Sequence, residues 1–256
     1  MQITNAYVTI GLSVIMGLSI FLSFPLIMGK RQSMNRLFLY NAIAIGILVF
    51  LLLDIYGDVA TIFGNDTITN PLLLVFIVGF VASFAFFILP KSSRDPSDNP
   101  KKTSVFAAVG IGFQNLTEGL VFGSAGAAGL LPIYVLSVIG FSAQNITEGF
   151  PIAAPLFGQL EKTSKKFIAG VFLLGGLPTI IGTIIGIVFY SNIFIIFFDS
   201  LACAAILYVV LVLFHVNINR AAKDPDGIKK AMFYTYAGIL IGFIIAFVLN
   251  YVVVVA

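Results

Sequence analysis

The chain has 256 residues, of which 59% are hydrophobic and 10% charged, where soluble domains carry about 25% charged residues. With 26 Phe, no Trp and a strongly positive mean hydropathy, an ordinary soluble domain is excluded. What remains is an all-α integral membrane protein, because a lipid-exposed backbone must close its hydrogen bonds within each segment. The net charge of +3 is no nucleic-acid signal, since its placement in loops accounts for it. The single Cys203 can form no disulfide within the chain.

Runs of about 20 apolar residues predict eight spans, near 4–28, 37–56, 71–90, 103–124, 130–157, 167–190, 193–216 and 233–255. The first run is long enough to span and is followed by Lys30 and Arg31, so it reads as a retained helix and not a cleaved signal. Pro71 opens the third span, with Asn70 as a candidate cap, and Pro90 closes it. Lys30, Arg31 and Arg36 fall between spans one and two, and Lys91, Arg94, Lys101 and Lys102 between three and four. Lys162, Lys165 and Lys166 fall between five and six, and Arg220, Lys223, Lys229 and Lys230 between seven and eight. These are all fourteen basic residues. The positive-inside rule then predicts cytoplasmic loops near 29–36, 91–102, 159–166 and 217–232, with both termini on the outer side. A single transmembrane domain over 1–256 is expected, multi-pass, in a prokaryotic cell membrane.

The loops carry little chemistry. Ser92 to Pro100 reads as a polar, proline-punctuated linker without His or Cys. The outer loop near Asp58 and Asp66 is short and acidic; it could attract cations, but reads first as a solvated turn. Asn65-Asp66-Thr67 matches a glycosylation sequon.

The stretch that needs a reason is polar and is written twice. Gln114-Asn115-Leu116-Thr117-Glu118-Gly119 lies in span four, and Gln144-Asn145-Ile146-Thr147-Glu148-Gly149 lies in span five, thirty residues on. An acidic side chain near the middle of a bilayer costs about 3 kcal/mol even on the mildest scale. Helical positions i and i+4 stack a turn apart, so Gln114 lines up with Glu118 and Asn115 lies beside them. Gln144, Asn145 and Glu148 repeat the arrangement. Spans four and five run antiparallel through the short connection Gly123 to Gly129 and are predicted neighbours. Gly110, Gly112, Gly119, Gly149, Ala153 and Ala154 flank the phrases and allow close helix approach. Facing each other, the phrases form a cage of two carboxylates and up to four amides. Two carboxylates forced together in low dielectric do not both stay ionised without a counter-charge. No basic residue lies in any predicted span, so a divalent cation is the natural one. The amides alone read as interhelical glue, and proton relay through the carboxylates is a second functional reading.

This pattern resembles the ZIP (zinc- and iron-regulated transporter-like) family of divalent metal transporters, as a divergent member with Gln in place of the motif His. Those proteins are similar in having eight spans, both termini outside and a motif of the type His-Asn-x-Pro-Glu-Gly in the fourth and fifth helices. The second copy here continues as Phe150-Pro151-Ile152-Ala153-Ala154-Pro155, similar to the small, apolar, proline-ended continuation in the family. In topology the resemblance covers the whole chain; in motif it covers spans four and five. It implies Gln114, Asn115, Glu118, Gln144, Asn145 and Glu148 as metal ligands, and import of zinc, iron or manganese as substrate, with no prosthetic group. Four departures stand out. Gln114 replaces the usual His; Thr117 and Thr147 replace the usual prolines; Leu177 holds the place of a sixth-helix Glu; the seventh helix ends in Leu211 to His215 where acidic residues are common. A second, adjacent metal position is therefore expected to be weakened or missing. Carboxylate and amide oxygens suit harder cations than imidazole does, so Mg²⁺, Mn²⁺ or Fe²⁺ gain relative to Zn²⁺.

Asp54 and Asp199 are placed toward the outer ends of spans two and seven, where they can form an access path, and His215 at the cytoplasmic end of span seven is a candidate exit ligand. Asn41 and Ser142 are further candidates for the path, and Gly182 and Gly186 are spaced for close packing. No phosphate loop, triad or cysteine pair supports an enzyme. The expected partners are a divalent metal ion, the lipid bilayer and a second copy in a homodimer, with no nucleic acid. The alternative of another class is a metal-binding membrane sensor or assembly partner that shares the fold and carries nothing.

Overall fold

The structure, a computed structural model, describes residues 3–24, 33–65, 69–88, 99–129, 131–157, 163–222 and 228–255, with the backbone alone at 3–5, 69, 131–137 and 252–255. Among the described residues the elements are eight α-helices and two short 3-10 continuations. Helix α1 (Ile3–Leu18) runs into a 3-10 stretch, Ser19–Ser23. Then come α2 (Met34–Asn65), α3 (Thr69–Ile88), α4 (Pro100–Ala127) and α5 (Leu131–Ala153), the last continued by the 3-10 turn Ala154–Leu156. Helices α6 (Lys165–Val188), α7 (Asn192–Ala222) and α8 (Ile228–Val255) complete the chain. Seven of the helices are long and apolar enough to cross a membrane. The chain is a multi-pass helical membrane protein. Helix α5, outside those seven, has 23 residues.

Several boundaries differ from the sequence expectation. Helix α2 does not end near 56 but runs to Asn65, so Asp58 is helical and not part of a turn. Its apolar stripe simply continues: Val59 is buried, and the Phe63 ring meets Phe76 with centroids 6.5 Å apart. Helix α4 starts at Pro100, because the Asn99 side chain accepts from the Lys102 amide at 3.1 Å and Pro100 needs no partner at the first position. It also continues through most of the expected connection, to Ala127, and turns on Gly129 with φ +79°. Pro90, Asp66, Thr67 and linker residues 92–98 lie outside the described residues, as do Lys30, Arg31, Lys91, Arg94, Lys162 and Lys223.

Two groups of four helices pack side by side. Helices α1, α4, α5 and α6 form one, α2, α3, α7 and α8 the other, joined where α4 meets α7, α5 meets α8 and α2 meets α5. Lipid offers no hydrophobic drive between helices, so backbone approach does the holding. A Cβ on Gly119 would run into the Thr179 carbonyl, one on Gly182 into Leu116, and one on Gly186 into Leu120. Gly182 and Gly186 thus take the packing role expected of them, and the partner is α4. The glycines of α4 serve α6 and α7, since Gly112 abuts Leu174 and Gly110 abuts Ala205. Gly149 abuts Ser23 and Ile20 beyond α1.

Contacts between helix ends fix one polar face of the bundle. Ser104 on α4 donates to the Ile152 carbonyl at 2.7 Å, and the Lys101 ammonium lies 5.5 Å from the Phe167 ring. The Tyr40 ring packs on Phe157 at 5.6 Å, and Asn217 donates to Thr235 Oγ1 at 3.3 Å. These ties gather the starts of α2, α4, α6 and α8 with the ends of α5 and α7. Among the described residues, Arg36, Lys101, Lys102, Lys165, Lys166, Arg220, Lys229 and Lys230 therefore share one end of the bundle.

Candidate metal centre

The two phrases face each other, and each serves the other. Gln144 Nε2 on α5 donates to Glu118 Oε1 at 2.8 Å, and Asn115 Nδ2 on α4 donates to Glu148 Oε2 at 2.8 Å. Gln114 Nε2 reaches the same Glu118 oxygen at 3.0 Å, the i to i+4 contact expected on one helix face. Asn115 also donates to the Gly175 carbonyl at 3.0 Å, which ties the cage to α6. Thr117 and Thr147 donate to the Gln114 and Gln144 carbonyls at 2.7 Å each. Such back-bonding takes up a helix carbonyl and bends the local turn. Asn145 turns the other way and donates to the Met16 carbonyl of α1 at 2.8 Å. The structure thus brings together Gln114, Asn115, Glu118, Gln144 and Glu148, and holds Asn145 at the α1 contact.

The donors cover only one oxygen of each carboxylate. Glu118 Oε2, Glu148 Oε1, Gln114 Oε1, Asn115 Oδ1 and Asn145 Oδ1 are buried without a hydrogen-bond partner. Buried polar atoms of this kind require a donor, a water or a cation. Leaving aside Asn145 at the α1 contact, four oxygens with two carboxylates among them form an acceptor-rich set, and protons on the two acids would supply only two donors. Oxygen donors of this chemistry suit a divalent cation. Among the described residues no group of three or more His, Cys, Asp or Glu is placed to hold a metal ion by itself, so any metal here takes amides as well as carboxylates.

A pocket of about 350 Å³ opens onto the cage. Glu118, Gln144 and Thr117 line it on one side, and Asp54, Asp58, Asp199 and Asn250 on the other. Asp54 and Asp199, expected along an access path, thus meet in one cavity. Asp199 is buried beside the Thr117 hydroxyl. Asn250 of α8 donates to Asp54. Tyr190, between α6 and α7, closes the rim; burial pushes its phenol up, so it remains a neutral donor. The sequence reading missed Asn250 and Tyr190 and placed Asp58 in a solvated turn. Asp54 and Asp58 are four residues apart, a signal usable only once α2 is known to continue. Asn250, a lone amide in an apolar run, had no local signal.

Other candidates lie elsewhere. His215 is exposed near the polar end of α7, with a ring nitrogen 2.9 Å from Asn219 Nδ2. Ser142 Oγ is buried without a partner, while its carbonyl accepts from Ser19 at 3.0 Å. Leu177 is 43% exposed and faces away from the helix group. Thr179, two residues on, is buried with its hydroxyl unpartnered.

Comparison with protein-family models returns no match, and comparison with curated proteins returns none. The fold and geometry define a class: a multi-pass helical membrane protein with two buried carboxylates beneath an acidic pocket.

Proposed function

We propose that this chain is a ZIP-like permease that moves divalent metal cations across the membrane into the cytoplasm. The observation that carries the reading is the pair Glu118 and Glu148, buried on facing helices with one unpartnered oxygen each, Glu118 lining a pocket with three aspartates and Glu148 held behind it. Intramembrane carboxylates on a water-accessible path serve ion movement by default. The positive-inside rule puts the basic end in the cytoplasm, so the pocket faces outward, as do both termini. Asp54, Asp58 and Asp199 attract and partly dehydrate the cation, and Glu118 receives it. The oxygen-only donor set accepts Mn²⁺ and Fe²⁺ as readily as Zn²⁺. Leu177 leaves no sixth-helix carboxylate, so one metal position is expected. Alternating exposure comes from rocking of one helix group against the other.

The second reading is a metal sensor or assembly partner, favoured by Asn115, whose amide is pinned between Glu148 and Gly175. Liposomes holding the purified protein, with Mn²⁺, Fe²⁺, Zn²⁺ and Mg²⁺ in competition, separate the two. A permease gives flux that Glu118→Gln with Glu148→Gln abolishes; binding without flux in the unaltered protein selects the sensor. Zinc carried alone at high preference contradicts the donor-set reading.

A further inference from the structure

At the basic end the two helix groups meet through the end of α5. Asn41 of α2, its amide oriented to suit its neighbours, donates to the Ala154 carbonyl at 3.0 Å and accepts from Arg220 Nη1 at 2.9 Å. Asn41 and Ala154 are both fully buried. Rings close around this link: Tyr40 meets Phe150 edge-on at 5.8 Å, and Phe150 meets Phe157 at 5.2 Å. Ile152, Ala153 and Leu156 are buried beneath them. Phe150 follows Glu148 and Gly149 on α5, so this seal starts within one turn of the deeper carboxylate. The pocket opens on the other side of the cage. Arg220 keeps its charge at any physiological pH, and its guanidinium is a fixed donor fork.

We infer that Asn41 and Arg220 form a latch on the end of α5 that holds the basic-end exit shut while the acidic pocket is open. The latch must release Ala154 before a cation can leave on that side. Asn41 and Arg220 belong to one helix group and Ala154 to the other, so relative movement of the groups strains this contact. The guanidinium also opposes cation leakage while the latch is closed, because a like charge stands at the exit. This inference rests on the permease reading.

The test uses the full chain in a Cys203→Ser background with Ala153→Cys as reporter. A membrane-impermeant maleimide applied from the basic end labels the reporter slowly with the latch intact. Loss of a charge-assisted hydrogen bond shifts such an equilibrium by about tenfold, so Asn41→Ala and Arg220→Gln raise the labelling rate by that factor. Ile218→Ala, exposed on the same helix and outside the latch, leaves it unchanged. Equal labelling in all variants overturns the proposal. Independently, Asn41→Cys with Ala154→Cys, joined by a short reducible thiol cross-linker, blocks Mn²⁺ flux in liposomes, and reductant restores it. Undiminished flux in the cross-linked protein also overturns the latch. If the unaltered protein carries none of Mn²⁺, Fe²⁺, Zn²⁺ and Mg²⁺, the permease reading fails on its own, and the labelling comparison still decides whether the latch gates this end.

Discussion

Glu118 and Glu148 occupy the same position in two copies of one phrase, yet Glu118 lines the acidic pocket with 9% of its surface exposed and Glu148 has none. The first copy holds the pocket floor; the second is sealed above Phe150 and the buried end of α5. The amides diverge likewise. Asn115 binds the opposite carboxylate and the Gly175 carbonyl, whereas Asn145 is turned to Met16 on α1. Nearly identical sequence therefore meets two environments: Glu118 reaches the pocket, while Glu148 is sealed and Asn145 is tied to α1. The difference comes from neighbours, since α4 is flanked by α6 and α7 and α5 by α1 and α8.

That contrast can be broken in four ways, the largest first. Removing one charge of a buried hydrogen-bonded set costs at least about 2 kcal/mol, so Glu148→Gln and Glu118→Gln each weaken Mn²⁺ binding by about a hundredfold. Glu118→Gln also slows association, since Glu118 faces the pocket; stopped-flow binding separates the two. Close packing predicts the next effect. Gly119→Val pushes a methyl into the Thr179 backbone and lowers stability by about 3 kcal/mol, read as thermal unfolding in detergent. Gly57→Val, with open space around it, changes little. Third, Asn115→Ala weakens Mn²⁺ about tenfold through its oxygen and its tie to α6. Asn145→Ala leaves binding within about twofold and loses about 1 kcal/mol of stability from the α1 contact. Smallest is Asp58→Asn, at the exposed rim. It slows Mn²⁺ association about threefold at low salt and not at high salt, because rim charges steer encounter and are screened.

Much of the site was legible because it is local. The i to i+4 stacking of Gln114 on Glu118 is fixed by helix geometry, and facing phrases on consecutive helices follow from a short turn. What was not legible depends on the third and fourth neighbours. The glycines around the phrases looked like surfaces for α4 on α5, but small residues show only that some helix comes close, not which one. Asn145 reads like Asn115 until α1 is placed beside it. Asp58 reads as a turn because the predicted second span stops near 56; the buried Val59 and the Phe63–Phe76 contact carry the helix through. Asn41 gave no sign of its link to Arg220, 179 residues on, since the predicted span seven stopped short of that arginine.

The most direct test of the facing half-sites is Mn²⁺ binding to the purified protein, followed by electron paramagnetic resonance. The account predicts one tightly held Mn²⁺ per chain with an all-oxygen coordination signature, lost in Glu118→Gln with Glu148→Gln and kept in His215→Ala. A Mn²⁺ signal that survives the double substitution, or that shows imidazole nitrogen in its coordination, would contradict it.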